Sequence, residues 1–470
     1  MPSARLPLVS PVNENLDPIE STVFADEIWD GFLNEAGSLV RRPGVKDFCT
    51  LPVSTKVDGL YFWEEVGVLV AVSNGNVYTI DEDGNYTLIG NGMNFGSKVS
   101  FAAYNTSGDQ RLAMCNGGSI WILKGGSLNK ITDVDAPTSA TNVIHFDGYL
   151  ISNNLDDGTF RYSEVLNVES WSALDFGSAE SKPDPIVAVR SIGGYIYLIG
   201  SRTTEVYYND ESTPFVRNRS LELPGGTLAP DSVVQVRQSL IYLDDRKRVV
   251  IHTGGDARVV SGAISQDLLE LTESEEVSGA SLTVSGKIFY VLRSKSETFV
   301  YDIDNGIWYR WGKWNSLTRE YDNYYPAIID FSRKWGRSFI ASGSSDGKVL
   351  EVSRTTYQDE GEAIRTSVRS GYIDHGTALT KTCKTLAFRV KRGTASVGET
   401  EVLVDLRARN ELGGWDLWKS FEIGEVGDTD FYVWFMGLGI YRARQWEVSC
   451  ASNTPFIMSG VTEEFDLGAT

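Results

Sequence analysis

A chain of 470 residues with 41% apolar content can bury a large core and is long enough for two or three domains, which excludes a disordered or fibrous protein. Sixty-three acidic against 43 basic residues give a formal charge of −20, a surface that repels phosphates and anionic lipids and disfavours nucleic-acid binding by counterion release. Four scattered cysteines (Cys49, Cys115, Cys383, Cys450), without CxxC pairing, argue against a disulfide scaffold, and with only three histidines no zinc site is suggested.

The opening MPSARLPLVSPVNEN has no apolar signal core, and no window approaches about 18 uncharged apolar residues. A soluble protein without membrane anchoring, made in a reducing cytoplasm, is expected. Twenty-one Tyr, 20 Phe and 12 Trp beside 46 Gly favour many short strands and tight turns, so the expected class is all-β.

Residues 1–50 are extended and punctuated by proline, with one short helix expected around Ala25 to Asn34. Such an arm cannot build its own core and is expected to pack against the C-terminal domain or a neighbouring subunit. From about Val57, short apolar runs alternate with Gly, Asn and Asp turns. Leu60–Trp63, Val68–Val72, Asn76–Ile80 and Tyr86–Ile89 read as one four-stranded antiparallel meander.

Similar groups start near Ser97, Thr141, Asp184, Asp231, Ser278 and Tyr324, at about the 40–48 residue period of propeller blades. Residues 51–360 are therefore expected to form a β-propeller of about seven blades, with six or eight as alternatives. Its recurring element is a strand such as GYLISNN, GYIYLIGS, QSLIYLDD, GKIFYVLRS or RSFIASGS, which packs against the next blade. After about Gly361, longer strands without that period (TCKTLAFRVKRG, TEVLVDLRARN, YRARQWEVSCAS) predict a β-sandwich-like domain over 361–470, a platform built together with the arm.

Two stretches go beyond the repeat. One is LNEAGSLVRRPGV, Leu33 to Val45, where Arg42, Pro43 and Gly44 close the arm. The other runs from Phe160-Arg161-Tyr162-Ser163 through Trp171 and Leu174-Asp175-Phe176 to Ala179-Glu180-Ser181-Lys182-Pro183-Asp184. It ends in Tyr197-Leu198-Ile199-Gly200 and Ser201-Arg202-Thr203-Thr204-Glu205-Val206-Tyr207-Tyr208. Physically, Glu180 to Pro185 is a polar loop whose prolines fix a crossing between blades, with Pro183 biasing Lys182 toward extended backbone. The hydroxyls of Ser201, Thr203 and Thr204 can satisfy backbone groups in the turn. Taken singly, each feature can serve only to join two blades.

In order and length, these stretches resemble the tail-nozzle, or packaged-DNA stabilisation, proteins of short-tailed bacteriophages. The likeness covers roughly the first two-thirds of the chain, including YDIDNGIWYRW from Tyr301 to Trp311, and is only architectural beyond it. It assigns structural motif roles to Arg42, Pro43, Gly44, Glu180, Ser181, Pro183, Asp184, Gly200, Ser201, Thr204 and Glu205. It implies a non-enzymatic virion protein, with no cofactor, assembled in the host bacterial cytoplasm and resident in the virion tail. Six copies would form a ring beneath the head-to-tail adaptor under the portal, retaining packaged DNA and forming the ejection channel. The ring would dock tail fibres or spikes and a needle, and double-stranded DNA would pass without specific binding, repelled by an acidic wall.

Other chemistries have weaker support. SNNLDDGTF, Ser152 to Phe160, loosely resembles the Asp-box of carbohydrate-active propellers, but its spacing is off by one residue and suits an ordinary hairpin. A carbohydrate-binding or depolymerising tail propeller remains the alternative reading, although no motif places a facing carboxylate pair. A cellular scaffold of the WD type would carry Gly-His and Trp-Asp marks repeated from blade to blade, and no such repeat marks are present. Asp81, Asp83 and Asn85, and Asp302, Asp304 and Asn305, could offer partial Ca²⁺ loops, but both lack the distal Glu and sit where hairpins turn.

His145, His252 and His375 sit in strand-like contexts with no nucleophile elbow, and no metal ligand set or catalytic residue is assigned. Arg246-Lys247-Arg248 reads as a charged turn tip, or as a contact to an acidic ring neighbour. Trp308, Trp311 and Trp314 cannot share one strand face, so a mixture of core and edge positions is expected, with Trp335 nearby.

Overall fold

The computed structural model describes residues 3–6, 8, 25–106, 108–156, 158–178, 184–210, 213–223, 225–254, 257–271, 277–324, 326–353, 355–391, 402–411, 413–423 and 430–468. Among these residues, seven antiparallel four-stranded units follow one another around an axis. The first comprises Val57–Trp63, Val68–Ser73, Asn76–Ile80 and Tyr86–Asn91. Asn74 and Gly75 both take positive φ, 52° and 72°, the two-residue hairpin geometry that Asn-Gly favours. Asp147-Gly148 and Ser285-Gly286 repeat the device in the third and sixth blades.

The innermost strands of the later blades begin at Ser100, Val143, Ile186, Val234, Ser278 and Pro326, within a few residues of the starts expected from the repeat. The second strands explain the apolar runs in the sequence. Tyr149–Asn154, Tyr195–Gly200 and Arg337–Ser342 are buried along all but their first residue, because each lies between two strands and between two blades. Separate apolar clusters fill the gaps between blades. Ile151 and Phe160 of blade 3 meet Val189 and Leu198 of blade 4, and Tyr197 and Val206 of blade 4 meet Leu240 and Tyr242 of blade 5.

The seventh blade takes its outermost strand from the other end of the propeller. Gly44–Thr50 pairs antiparallel with Lys348–Ser353, from Ser353 opposite Gly44 to Lys348 opposite Thr50. This strand lies in the segment assigned by sequence to the arm. Val45 and Cys49 turn inward while Lys46, Asp47 and Thr50 stay exposed, and the open edge of residues 348–353 supplies the hydrogen bonds the strand needs.

The helix expected around Ala25 to Asn34 is absent; Ala25–Trp29 and Gly31–Leu33 are strands. Ala25–Trp29 is inserted beside Arg365–Ser370 and bridges Arg310 through Trp29, so neighbouring strands satisfy its backbone groups and override local helical preference. The bridge makes the sixth blade continuous with Arg365–Ser370, Arg444–Ala451, Leu403–Asn410 and Lys419–Glu422. A second sheet orders Gly31–Leu33, Leu39–Arg41, Ile457–Leu467, Lys381–Lys391 and Asp430–Tyr441. Ile28, Leu386, Phe388, Val433, Trp446 and Met458 share one core between these sheets, which is the sandwich-like platform.

Candidate functional site

Arg41 and Arg42 stand where platform and propeller meet, and both are fully buried. Arg41 serves the platform. Its guanidinium donates to the Cys450 carbonyl at 2.6 Å, the Thr454 carbonyl at 2.7 Å, Ser452 Oγ at 2.8 Å and Thr366 Oγ1 at 3.1 Å. Arg42 serves the junction. Nε donates to Asp30 at 2.7 Å, the two terminal nitrogens bind Asp359 in parallel, and Nη2 also donates to the Gly312 carbonyl at 2.9 Å.

The Tyr324 ring lies 4.3 Å from the Arg42 guanidinium carbon. Burial alone disfavours the charged guanidinium, but the Asp30 and Asp359 carboxylates reverse the effect and hold it further above its ordinary range.

The next two motif residues have geometric reasons. Pro43 biases Arg42 toward extended backbone. A Cβ on Gly44 would fall 2.2 Å from the Gln358 carbonyl oxygen, so only glycine lets the chain pass there while its amide binds the Thr356 carbonyl at 2.8 Å.

The second motif gathers around Asp184 at the entry to blade 4. Its carboxylate accepts from the amides of Ser201 at 2.9 Å, Arg202 at 2.8 Å and Thr203 at 2.9 Å, and from the hydroxyls of Ser201 and Thr203. Burial would raise its pKa, but these hydrogen bonds outweigh burial and hold the carboxyl below its usual range. A Cβ on Gly200 would lie 2.4 Å from Asp184 Oδ2. Thr204 Oγ1 donates to the Gly225 carbonyl at 2.8 Å, and buried Glu205 accepts from the Tyr207 hydroxyl at 3.0 Å and pairs with Arg217 at 3.3 Å. Asp184, Gly200 and Ser201 thus form one constellation, Thr204 and Glu205 hold contacts of their own to Gly225, Tyr207 and Arg217, and Arg42, Pro43 and Gly44 form a second constellation. Glu180, Ser181 and Pro183 lie outside the described residues.

The remaining candidates resolve into structural contacts. Asp81 Oδ1 caps its own turn, accepting from the amides of Asp83 and Asn85, and Asp302 does the same for Asp304 and Asn305 while pairing with Lys287 at 3.0 Å. Among the described residues no group of three or more His, Cys, Asp or Glu is placed to hold a metal ion. His252 bonds the Tyr242 hydroxyl at 2.7 Å, and His145 packs edge-on to Tyr104. His375 is in a turn rather than a strand, with φ of 53°, and contacts Tyr441 and Glu463.

Arg248 pairs with Asp244 at 2.7 Å, and Lys247 donates to the Leu269 carbonyl. Trp308 packs between blades 5 and 6 while Trp311 enters the platform core, as opposite strand faces require. Trp314 stacks with Arg365, and Trp335 packs on Phe62.

One surface was not singled out by sequence reading. Asp430–Tyr441 is the edge strand of a platform sheet, and it exposes Tyr432 (64%), Trp434 (47%), Met436 (71%) and Ile440 (61%). The signal was the alternation in YVWFM, Tyr432 to Met436, whose other face supplies Val433 and Phe435 to the core.

The family described as "Bacteriophage P22 Gp10, beta-propeller" matches residues 26–356, a span that holds both constellations. Comparison with curated proteins gave no match. Among solved structures, the computationally designed Ika8 protein is 13% identical, with 65% of this chain and 99% of that one covered at a TM-score of 0.37. The Pan2 WD40 domain of Neurospora crassa is 8% identical, covering 66% and 96% at 0.41. With the match spanning the whole propeller, the chain belongs to the Gp10 family of phage tail-nozzle and stabilisation proteins, a family of structural proteins.

Proposed function

We propose that this protein is a subunit of a six-fold nozzle ring in the virion tail, seated below the portal adaptor. The ring retains packaged DNA, forms the ejection channel, and docks fibres or spikes and a needle. In this reading residues 51–360, sealed by the last strand of the 1–50 arm, form the propeller, and 361–470 with the rest of the arm form the ring-building platform. The observation that carries the proposal is the exposed apolar stripe Tyr432, Trp434, Met436 and Ile440 on an edge strand of the platform, a surface suited to burial against another subunit. Ring closure requires a heterologous interface of this kind. The charge of −20 per copy supports a channel wall that lets duplex DNA slide without adhering.

The test is to delete the gene from its phage and follow DNA retention. Heads that fill and then leak, and are rescued by purified protein, support the closing role; particles that stay full but fail to adsorb overturn it in favour of a receptor-facing role.

A further inference from the structure

The platform sandwich has two outer faces, on opposite sides of its shared core. One is the face of Asp430–Tyr441 that exposes Tyr432, Trp434 and Met436. The other belongs to the sheet of Arg365–Ser370, Arg444–Ala451 and Leu403–Asn410. There Val368, Val448 and Leu406 turn into the core, and the residues that alternate with them turn out.

On this second face guanidiniums and aromatic rings alternate in a ladder. The Arg365 guanidinium carbon lies 4.1 Å from the Trp314 ring centre and 5.0 Å from that of Trp418, Arg407 lies 4.3 Å from Trp418 and 4.5 Å from Trp415, and Arg409 lies 5.0 Å from Trp415. Arg407 pairs with buried Glu447 at 2.6 Å, and Arg369 beside it pairs with Glu27 at 2.7 Å. Arg365 and Arg409 differ. Each donates one side-chain hydrogen bond, to Ser449 Oγ and to Gln445 Oε1, and neither makes an ion pair among the described residues. A guanidinium has five N–H donors, so both keep donors for a partner while the rings hold them in place. Leu417, between the two strap tryptophans in sequence, is 90% exposed.

The opposite face offers what this ladder lacks. Glu464 is exposed beside Tyr432 and Trp434, lining one shallow groove with them, and it has no ion-pair partner among the described residues. Aromatic residues, Met and Arg are the side chains enriched at the centres of protein interfaces. Glu27 and Glu447 offset two of the four guanidiniums, which disfavours duplex DNA as the occupant and favours an apolar surface carrying a lone carboxylate.

A closed ring needs two different surfaces on every subunit, each complementary to the other. Resting on the nozzle-ring reading, we propose that the ladder face of one platform receives the aromatic stripe face of the next copy. Glu464 of one copy then accepts from Arg365 or Arg409 of its neighbour, and Tyr432 and Trp434 pack on Trp415, Leu417 and Trp418.

Cross-linking of the full chain, assembled with the adaptor, tests this. All four native cysteines are buried, so a short bismaleimide reports on introduced ones. Leu417→Cys and Thr462→Cys place exposed thiols on the two faces. Covalent multimers are expected when both substitutions are in one chain, and none from either variant alone. A ring that sediments normally but gives no such multimers overturns the pairing and leaves the ring reading standing, as do multimers from one single variant or capture of the adaptor by Leu417→Cys. Wild-type chains that stay monomeric beside the adaptor overturn both. Should the cysteine chains fail to assemble, Glu464→Lys decides: association about tenfold weaker with unchanged thermal unfolding is expected, and wild-type association overturns the pairing.

Discussion

Arg42 holds Asp359 through two parallel hydrogen bonds across 317 residues of sequence, tying the segment that enters the propeller to the segment that leaves it. Removing the guanidinium would leave Asp30 and Asp359 as buried, uncompensated carboxylates. Arg42→Ala is therefore expected to cost about 3–5 kcal/mol, with Arg42→Lys intermediate because an ammonium cannot span both oxygens of Asp359. Urea-denaturation midpoints check this; a wild-type midpoint for Arg42→Ala would mean that the junction does not hold the halves together.

Asp184→Ala removes the acceptor of three backbone amides in the turn 201–203. The expected loss is about 1–3 kcal/mol, with Asp184→Asn losing less because one acceptor oxygen remains. Hydrogen exchange should accelerate at the amides of Ser201, Arg202 and Thr203 while other blades stay protected. The folded pKa of Asp184 is depressed, so its contribution is present above its unfolded pKa of 3.8 and is lost as pH falls through the lower folded value.

Asp330 has the opposite sign. Burial raises its carboxyl from 3.8 to about 6, although the amides of Phe62 and Phe331 oppose the shift. Stability is therefore lost as pH rises from about 4 to about 6 and stays lost above that, a cost of about 3 kcal/mol at neutral pH. Asp330→Asn keeps an acceptor without the charge. It should raise the melting temperature at pH 7.5 and show a smaller advantage at pH 4; an advantage equal at both pH values would remove burial of charge as the cause.

Trp434→Glu with Met436→Glu places two carboxylates on the exposed stripe of the platform edge strand. The subunit should fold with an unchanged melting temperature yet fail to assemble, measured by sedimentation velocity of wild-type and variant protein with the adaptor present. Assembly at the wild-type level would remove this stripe as the surface of the proposed ring.

The blades were legible because their hairpins are local. Asn74-Gly75 and the apolar run Val68–Ser73 state their own turn and burial within a dozen residues. The contacts that join distant segments were not. Nothing near Ala25–Trp29 announces that it will lie between Arg310 and residues 365–370, and a short amphipathic run reads equally well as a helix until those neighbours exist. The motif residues Arg42 and Asp184 were identifiable by family likeness, but their partners Asp359 and the 201–203 amides could be assigned only once the chain was folded. The aromatic stripe at Tyr432 and Trp434 was readable as alternation, but its edge position depends on sheet order, which sequence does not state.

The pairing of Gly44–Thr50 with Lys348–Ser353 also sets a timetable for synthesis. The strand that completes the last blade leaves the ribosome roughly 300 residues before its partner, which at about 5–20 residues per second is a wait of about 15–60 s. Through that interval the early strand has no edge to join, and six blades accumulate around an open ring. A message cut short before residue 348 therefore yields a polypeptide with an unsealed circle and two naked sheet edges, substrates for proteases and aggregation rather than for incorporation into a particle.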